Sequence, residues 1–559
     1  MGEKKQKRSL TFLVLFILIL SGCSVRVNDM ETKEDTKEKR LETILVGDIP
    51  INFPLTDKKA TLNILASSNL VQDFSKVYVF QKYEEMTGVK VNWTTVSKAD
   101  RAEAVYNVLI NKQDIDVIMR CKISTTRLTQ YGESGLILDL SKDDLLMDNA
   151  PNCWSYLKTH PDALASITNP DGSIYSIPQI NSGAELRVSR KIYVNREWLE
   201  RLKLDLPKTT EEFYEMLVTF RDEDANGNND KSDEIPLASE DWLGIEEALL
   251  GSFGLGNRGQ QNLFIDYDDD LGKTRLIAAA DGYKDFLQYF NRLYKENLLD
   301  KYIFTVTLDQ WQNNIMNDKV GVFMSTNLAN LPTGYSDKWI ALEEPLEGPN
   351  NDKMFAAVRA SFHSTGAAVI PASCKNPELV LQWLDYFWTD EGTLFYHMGV
   401  EGETYVKNED GTYSYTEDIL DEMKTSGKSF DQVIAGYSPY PGGSNPTVEV
   451  APYFAGGEMA EIPANAARGL YEYGPDEYWP VFTFTAEEND ILSTIQTDIT
   501  KYITTTEQDF ITGAMSFSEW SNYQKQLEKL GKKQLLDIYQ AAVDRYYVLK
   551  EARKDNEVH

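Results

Sequence analysis

The chain has 559 residues, 42% of them hydrophobic and 11% aromatic, which suffices for a large buried core. Its 56 Lys and Arg stand against 87 Asp and Glu, and the formal net charge of −31 argues against nucleic acid or an anionic lipid surface as a partner. Four histidines without HExxH spacing and four cysteines without CxxC spacing give little support to a zinc hydrolase or a His-based triad, and they exclude a dense disulfide framework.

The first residues read as an address. Lys4, Lys5, Lys7 and Arg8 precede the apolar run "LTFLVLFILIL" (10–20), and "LSGC" (20–23) follows. The run is shorter than the roughly 20 residues of a membrane span and has the layout of a secretory signal. "LSGC" resembles a bacterial lipobox, so 1–22 is predicted to be a signal peptide and Cys23 the acylated first residue of the mature chain. Residues 23–59, with "METKEDTKEKR" at 30–40, lack apolar periodicity and are predicted to form a flexible stalk. That places the remainder outside the cytoplasm, tethered to the membrane, and no later run is apolar enough for a second span.

The body begins with "ATLNILAS" (60–67) as a strand, "VYVFQKYEEMTG" (77–88) as a helix, "VKVNWTTV" (89–96) as a strand, "RAEAVYNVLINKQ" (101–113) as a helix and "IDVIM" (115–119) as a buried strand. This β-α-β-α-β order predicts an α/β fold with a parallel sheet, whose ligands gather at the carboxyl ends of strands. Those ends are Ser67–Ser68–Asn69 and Arg120–Cys121. A second α/β unit starts with a strand around Tyr175–Gln179, continues with "KIYVN" (191–195) and reaches the helix "KTTEEFYEMLVTFR" (208–221). Thr209 and Glu212 form a capping-box pair there, and Phe213, Met216, Leu217 and Phe220 form one apolar face.

Immediately after that helix comes "DEDANGNNDKSDE" (222–234). Asp222, Asp224 and Asn226 occupy positions 1, 3 and 5 of a twelve-residue calcium loop, with Gly227 at 6, Asp230 at 9 and Asp233 at 12. A second register starts at Asp224, which brings in Asn228. Asp224 and Asn226 are donors in both, and the last carboxylate is either Asp233 or Glu234. Such close-set carboxylates repel one another without a cation. The alternative is a solvated turn.

Near the end, Thr485 with Glu488 caps a helix striped by Ile491, Ile495, Ile499 and Tyr502. Ser516 with Glu519 caps another, striped by Trp520, Tyr523, Leu527 and Leu530 and stopped by Gly531. "QLLDIYQAAVDRYY" (534–547) closes the chain as a helix.

Several stretches, taken in order, then carry a family likeness. They are "YGESGLILDLS" (131–141), "IYVNREWLERLKLDLPKTTEEFYEML" (192–217), "YKDFLQYFNRLYKENLLD" (283–300), "VGVFMS" (320–325), "NPELVLQWLDYFWTDEGTLFYHMGVEGETY" (376–405) and "FTAEENDILSTIQTDITKYI" (484–503). The chain resembles the extracellular solute-binding proteins of family 1, in particular their large lipoprotein subgroup, and is similar to alginate-binding and maltose-binding proteins. The resemblance implies a two-lobed, class II periplasmic-binding-protein-like α/β fold, with hinge crossovers and the ligand in the cleft. Lobe 1 would comprise 60–180 and 350–400, and lobe 2 would comprise 181–349 and 401–559. It implies a monomeric, non-enzymatic component of an ABC importer that hands an oligosaccharide to permease subunits in the membrane. It also implies structural calcium in a loop before "DEIP" (233–236). This chain departs from that pattern by Lys231 in one register or by one inserted residue in the other.

A sugar site needs flat apolar faces and hydroxyl-binding forks. The candidates are Ser68, Asn69 and Arg120 at strand ends, Asn181 at the first crossing, Trp242 in "SEDWLG", Trp311 in "DQWQNN", and Tyr405. Each tryptophan admits a core role equally well. The turn-rich "YSPYPGGSNP" (437–446) would cover the cleft or decorate the surface. A lipid-anchored polysaccharide-degrading enzyme and a surface sensory or adhesion protein are the competing classes.

Overall fold

The computed structural model describes residues 49–554, except 263, 329–330, 332–333, 410 and 454–459. Cys23, the signal segment and most of the stalk lie outside the described residues. In chain order the strands are β1 (Ala60–Ser67), β2 (Val89–Val96), β3 (Val117–Ile123), β4 (Ile177–Ser182), β5 (Lys191–Asn195), β6 (Ile235–Leu237) and β7 (Ile265–Asp268). They continue as β8 (Lys273–Leu276), β9 (Val320–Ser325), β10 (Trp339–Ala341), β11 (Phe362–Val369), β12 (Tyr405–Lys407), β13 (Tyr413–Tyr415) and β14 (Val448–Val450). Two larger sheets carry the lobes: a six-stranded one in the order β14-β4-β11-β3-β1-β2 and a four-stranded one in the order β10-β5-β9-β6.

The first sheet starts as predicted. β2 and β3 flank β1 in parallel, because each connection from one strand to the next is a crossover containing a helix. The rest is mixed, since β11 runs antiparallel to both β3 and β4. Helix Tyr78–Thr87 buries Val79, Phe80, Tyr83 and Thr87, and Gly88 ends it in the left-handed region at φ 70°. Phe80 lies 4.5 Å from Trp93 and 6.1 Å from Trp383, ring centre to ring centre. Helix Pro377–Asp385 therefore returns to the first sheet.

Two boundaries differ from the sequence reading. Residues 49–56 are not free stalk: Ile49 exchanges hydrogen bonds with Asn152, and Phe53 stands edge-on to Tyr386 at 5.3 Å. Nor does everything after residue 400 belong with the second sheet. β14 joins the first sheet beside β4, and the N–H groups of Tyr78 and Val79 donate to Gly436 and Tyr437. A short apolar strand carries no label for its sheet, so sequence alone could not place Val448–Val450.

In the second lobe, Thr209 accepts from Glu212 N–H, but Glu212 returns its bond to Lys208 N–H rather than to the cap itself. The face Phe213, Met216, Leu217 and Phe220 is buried as the periodicity predicts, each large side chain contributing about 1.5–3 kcal/mol. The long helix Ala486–Thr512 has its full capping box at Thr485 and packs on helix Asp281–Lys295. Its stripe is rotated from the predicted one. Leu492, Ile499, Ile503 and Phe510 face the core, while Ile491, Ile495 and Tyr502 sit at its edge. Ser516 caps a short 3-10 turn, and the following helix starts at Trp520. Cys121, Cys153 and Cys374 are unbridged. No helix among the described residues is long and apolar enough to cross a membrane.

Candidate functional site

The chain passes between the two sheets along segments that lie side by side. β4 leads through residues 183–190 into β5, and β10 leads back through 342–361 into β11. Further along the chain than β14, helix Glu461–Tyr471 packs on β5 and β10. Asn181 N–H donates to Ser361 O at 2.7 Å, Ser189 N–H to Ala357 O at 2.8 Å and Arg359 N–H to Arg187 O at 2.9 Å. Asn181 also pairs with Glu449 in parallel register. Gly183 opens the first crossing at φ 102°, where a Cβ would stand 2.9 Å from that of Ala451. Only glycine fits that backbone at that distance.

One wall of the resulting cleft is the carboxyl edge of the first sheet. Ser68 is buried, and its Oγ accepts from Leu70 and Val71 N–H, so it holds the turn rather than a ligand. Asn69 is exposed, and its Oδ1 accepts from Lys98 N–H at 2.9 Å, which sets the end of β2 beside the end of β1. Arg120 is 1% exposed. Its guanidinium donates to Pro441 O at 3.1 Å, to Pro439 O, to Asn445 Oδ1, and at 3.5 Å to Ser67 O and Tyr396 Oη. Arg120 thus anchors the loop 437–446 from a buried position, contrary to the sequence reading. Gly443 is required there, since a Cβ on it would lie 2.1 Å from the guanidinium carbon.

The same edge carries cations that the sequence reading passed over. β3 does not stop at Met119 but continues to Ile123, with Arg120 at φ 63° and Lys122 at φ 50°. Left-handed backbone at residues with a Cβ costs about 1–3 kcal/mol each and gathers at functional sites. Lys122 is exposed, yet burial of its ammonium among surrounding groups, followed by repulsion from Arg359, Arg101 and Lys98, pushes its pKa down. Lys98 is pushed down by burial and then by Arg120 and Arg101, with Asp431 opposing.

Arg359 sits on the floor, on the second crossing. It is half-buried, and burial lowers its pKa, with Glu247 opposing and Arg190 adding to the shift. On the second lobe's side, Arg190 holds Glu247 at 3.2 Å, Glu240 at 3.3 Å and Asp241 at 3.4 Å. Arg187 lies over the stacked rings of Tyr478 and Tyr471, at 4.5 and 5.1 Å from their centres. Asn181 is in the hinge, buried, with its Oδ1 accepting from Gln179 Nε2.

The two tryptophans face the core instead. Trp311, 1% exposed, shares one helix face with Ile315 and meets Phe323 edge-on at 5.2 Å. Trp242 opens helix Trp242–Leu249 and packs at 4.9 Å against Phe290 and 5.4 Å against Phe304. Their polar sequence neighbours are caps and exposed faces: Asp241 caps the helix through Gly244 N–H, and Glu240 with Asp241 serves Arg190. Tyr405 is buried in the β12–β13 hairpin against Tyr413. The signal that would have found Lys122 is its place three residues past the assumed strand end.

The hydrogen bonds of the loop 222–234 centre on Asp224 and Asp233. Asn228 and Asn229 N–H donate to Asp224 at 3.0 and 2.9 Å, and Asn226 and Asn228 amides reach Asp233 at 3.0–3.2 Å. Glu234 Oε1 accepts from Ala225 N–H, while its Oε2 is buried with no hydrogen-bond partner. Burial holds the Glu234 pKa above the usual carboxylate value. Asp222 turns outward to Arg221 at 2.7 Å, and Asp230 accepts from Ser232, so neither faces the others. No group of three or more His, Cys, Asp or Glu among the described residues is gathered at metal-binding distance. The converging set contains two asparagines, so a carboxylate-only geometry does not describe it. Its chemistry fits a hard cation that takes oxygen ligands.

The bacterial extracellular solute-binding protein family matches residues 68–393. The fructooligosaccharide ABC transporter substrate-binding protein FusA of Streptococcus pneumoniae serotype 4 is 28% identical over 526 residues, covering 89% of this chain and 93% of that protein. The solved structure of S. pneumoniae FusA in complex with kestose matches with a TM-score of 0.70 at 25% identity, over 87% of this chain and 99% of that one. A FusA EF-hand mutant in complex with fructo-nystose matches with a TM-score of 0.67 at 24% identity, over 89% of this chain and 99% of that one. The family match runs from the first strand end, across the outgoing and returning crossings, to the helices that cover the first sheet again, and the chain belongs to the bacterial extracellular solute-binding proteins.

Proposed function

We propose that this chain is the substrate-binding component of an ABC importer, which captures an oligosaccharide between its two lobes and delivers it to permease subunits in the membrane. The observation that carries the reading is the hinge: crossings hydrogen-bonded side by side, with polar side chains at the strand ends above them. Closure requires only that the ligand bind the closed form better than the open one, and crossings of this kind supply the motion. The FusA relatives, named for fructooligosaccharides, support an oligosaccharide as the solute class. Asn69 and Asn181 stay in the ligand set, and Lys98, Lys122 and Arg359 join it. Ser68, Arg120, Trp242, Trp311 and Tyr405 leave it.

In this reading Cys23 carries lipid and holds the protein on the outer face of the membrane. Calcium is held by Asp224, Asn226, Asn228, Asp233 and Glu234. It supplies charge that staples helix Thr210–Asp222 to β6, and the relative bearing an EF-hand mutation supports it. Thermal-shift and calorimetric screens against oligosaccharides test the main reading. Stabilisation without release of products supports a carrier. A glycan cleaved on incubation, or no saccharide bound, overturns it. Metabolic lipid labelling of a Cys23→Ala variant, if unchanged, removes the anchor.

A further inference from the structure

Resting on that reading, we infer that the oligosaccharide is anionic, with carboxylate or sulfate groups on its sugar units that meet the cations on the cleft floor and on the edge of the first sheet. The surroundings make the inference pointed. Arginines elsewhere in the fold spend their guanidinium groups on acceptors: Arg187 on Arg359 O, Arg196 on Trp339 O, Arg190 on Glu240 and Arg275 on Asp266. Among the described residues, no hydrogen-bond acceptor or ion-pair partner reaches the side-chain cations of Arg359, Lys122, Lys98 or Arg101.

Arg359 is the centre. A half-buried guanidinium without an acceptor forgoes the strong charge-assisted bonds that such groups otherwise form. Its backbone is fixed to Arg187 by hydrogen bonds in both directions, each 2.9 Å, so the side chain is carried on the hinge itself. The acid nearest to it, Glu247, is engaged with Arg190 at 3.2 Å, together with Glu240 and Asp241. Those carboxylates are therefore committed within the second lobe. Lys122 approaches Arg359 from the first sheet on a left-handed residue, and Lys98 reaches toward the loop at Gly442. Arg101 is the first residue of helix Arg101–Ile110, so the positive end of the helix dipole adds to the same field. A neutral glycan would leave these like charges facing one another on closure. An acidic glycan neutralises them and draws the lobes together, which is the differential affinity that closure needs.

The test uses the full chain without its signal segment. Trigalacturonate, a chondroitin sulfate tetrasaccharide, the methyl ester of trigalacturonate, kestose and maltotriose are compared by thermal shift and calorimetry. Expected is a rise in melting temperature with one or both acidic saccharides, none with the ester, and binding that weakens as salt is raised. The two acidic arms separate carboxylate from sulfate. Arg359→Gln is expected to weaken that binding about tenfold or more, the equivalent of one charge-assisted bond. Lys122→Gln, at an exposed side chain that folding does not need, is expected to weaken it less. If kestose or maltotriose binds tightest and both variants retain it, the anionic inference is wrong and the oligosaccharide reading stands. If no saccharide of either kind binds, both fall.

Discussion

Two arginines near the hinge, Arg120 and Arg359, have opposite surroundings. Arg120 is buried and spends its donors on backbone and side-chain acceptors of the loop 437–446. Arg359 is half-buried and has no such acceptor among the described residues. The contrast separates charges whose partners the chain supplies from charges whose partners come from outside. The same division runs through the loop 222–234, where Asp222 is taken by Arg221 while Glu234 keeps a buried oxygen without a partner.

The largest effects should fall on the self-satisfied side. Arg120→Met removes every donor to Pro439, Pro441 and Asn445 and is expected to cost about 3–5 kcal/mol in urea unfolding. Trp311→Ala empties a packed site and is expected to cost a similar amount, about 3–5 kcal/mol. If Trp311→Ala instead leaves stability intact and abolishes glycan binding, the ring belongs to the cleft and the division between the two kinds of group is misplaced.

Calcium comes next. An ion that binds only the folded chain contributes about 2.7 kcal/mol at about a hundred times its dissociation constant. Chelation should lower the melting temperature of wild type and of Asp222→Ala alike, and leave Asp224→Ala unaffected. No effect of chelation on calcium-loaded wild type would return the loop to a plain solvated turn, and equal sensitivity in Asp224→Ala would move the ion elsewhere.

A third pair sharpens the rule by violating it. Glu246 and Glu507 are both 3% exposed and lie near each other beneath the second lobe's surface. Burial, together with the neighbouring acid, pushes Glu246 well above its ordinary value, and burial raises Glu507 to about 7. The native state thus holds protons that the unfolded chain releases near pH 4.5. The associated stability is present below that value and is lost as pH rises through about 7. Glu507→Gln should therefore raise stability by about 1–3 kcal/mol at alkaline pH and little under acidic conditions. A pH-independent gain would point to packing rather than to titration.

Much of this was legible in the sequence, and the losses have physical causes. The β-α-β-α-β start, the helix face from Phe213 to Phe220 and the cap at Thr485 depend on local periodicity, which sequence carries directly. In the loop 222–234 spacing alone did not show which carboxylates face one another, because side chains such as Asp222 find partners that spacing does not reveal. Trp242 and Trp311 misled because polar neighbours along the chain said nothing of Phe290 or Phe323 across space. Arg359 and Lys122 were invisible for the converse reason. An isolated cation in a charged sequence reads as solvated surface, and only the fold shows that it lacks an acid.

The smallest expected effect is the most discriminating. If Arg359 waits for an external partner, removing its charge deletes no internal hydrogen bond from the side chain and relieves repulsion with Arg190 and Lys122. Arg359→Gln should then change unfolding stability by no more than about 0.5 kcal/mol, or raise it slightly. Lys122→Gln should behave likewise. The two changes share one cluster, so their double mutant need not be additive, and any gain should shrink once the first charge is gone. A loss of about 2 kcal/mol or more from Arg359→Gln in the absence of ligand would mean that the guanidinium is bound within the protein after all. Arg120 and Arg359 would then be the same kind of residue, and the comparison between them would lose its functional meaning.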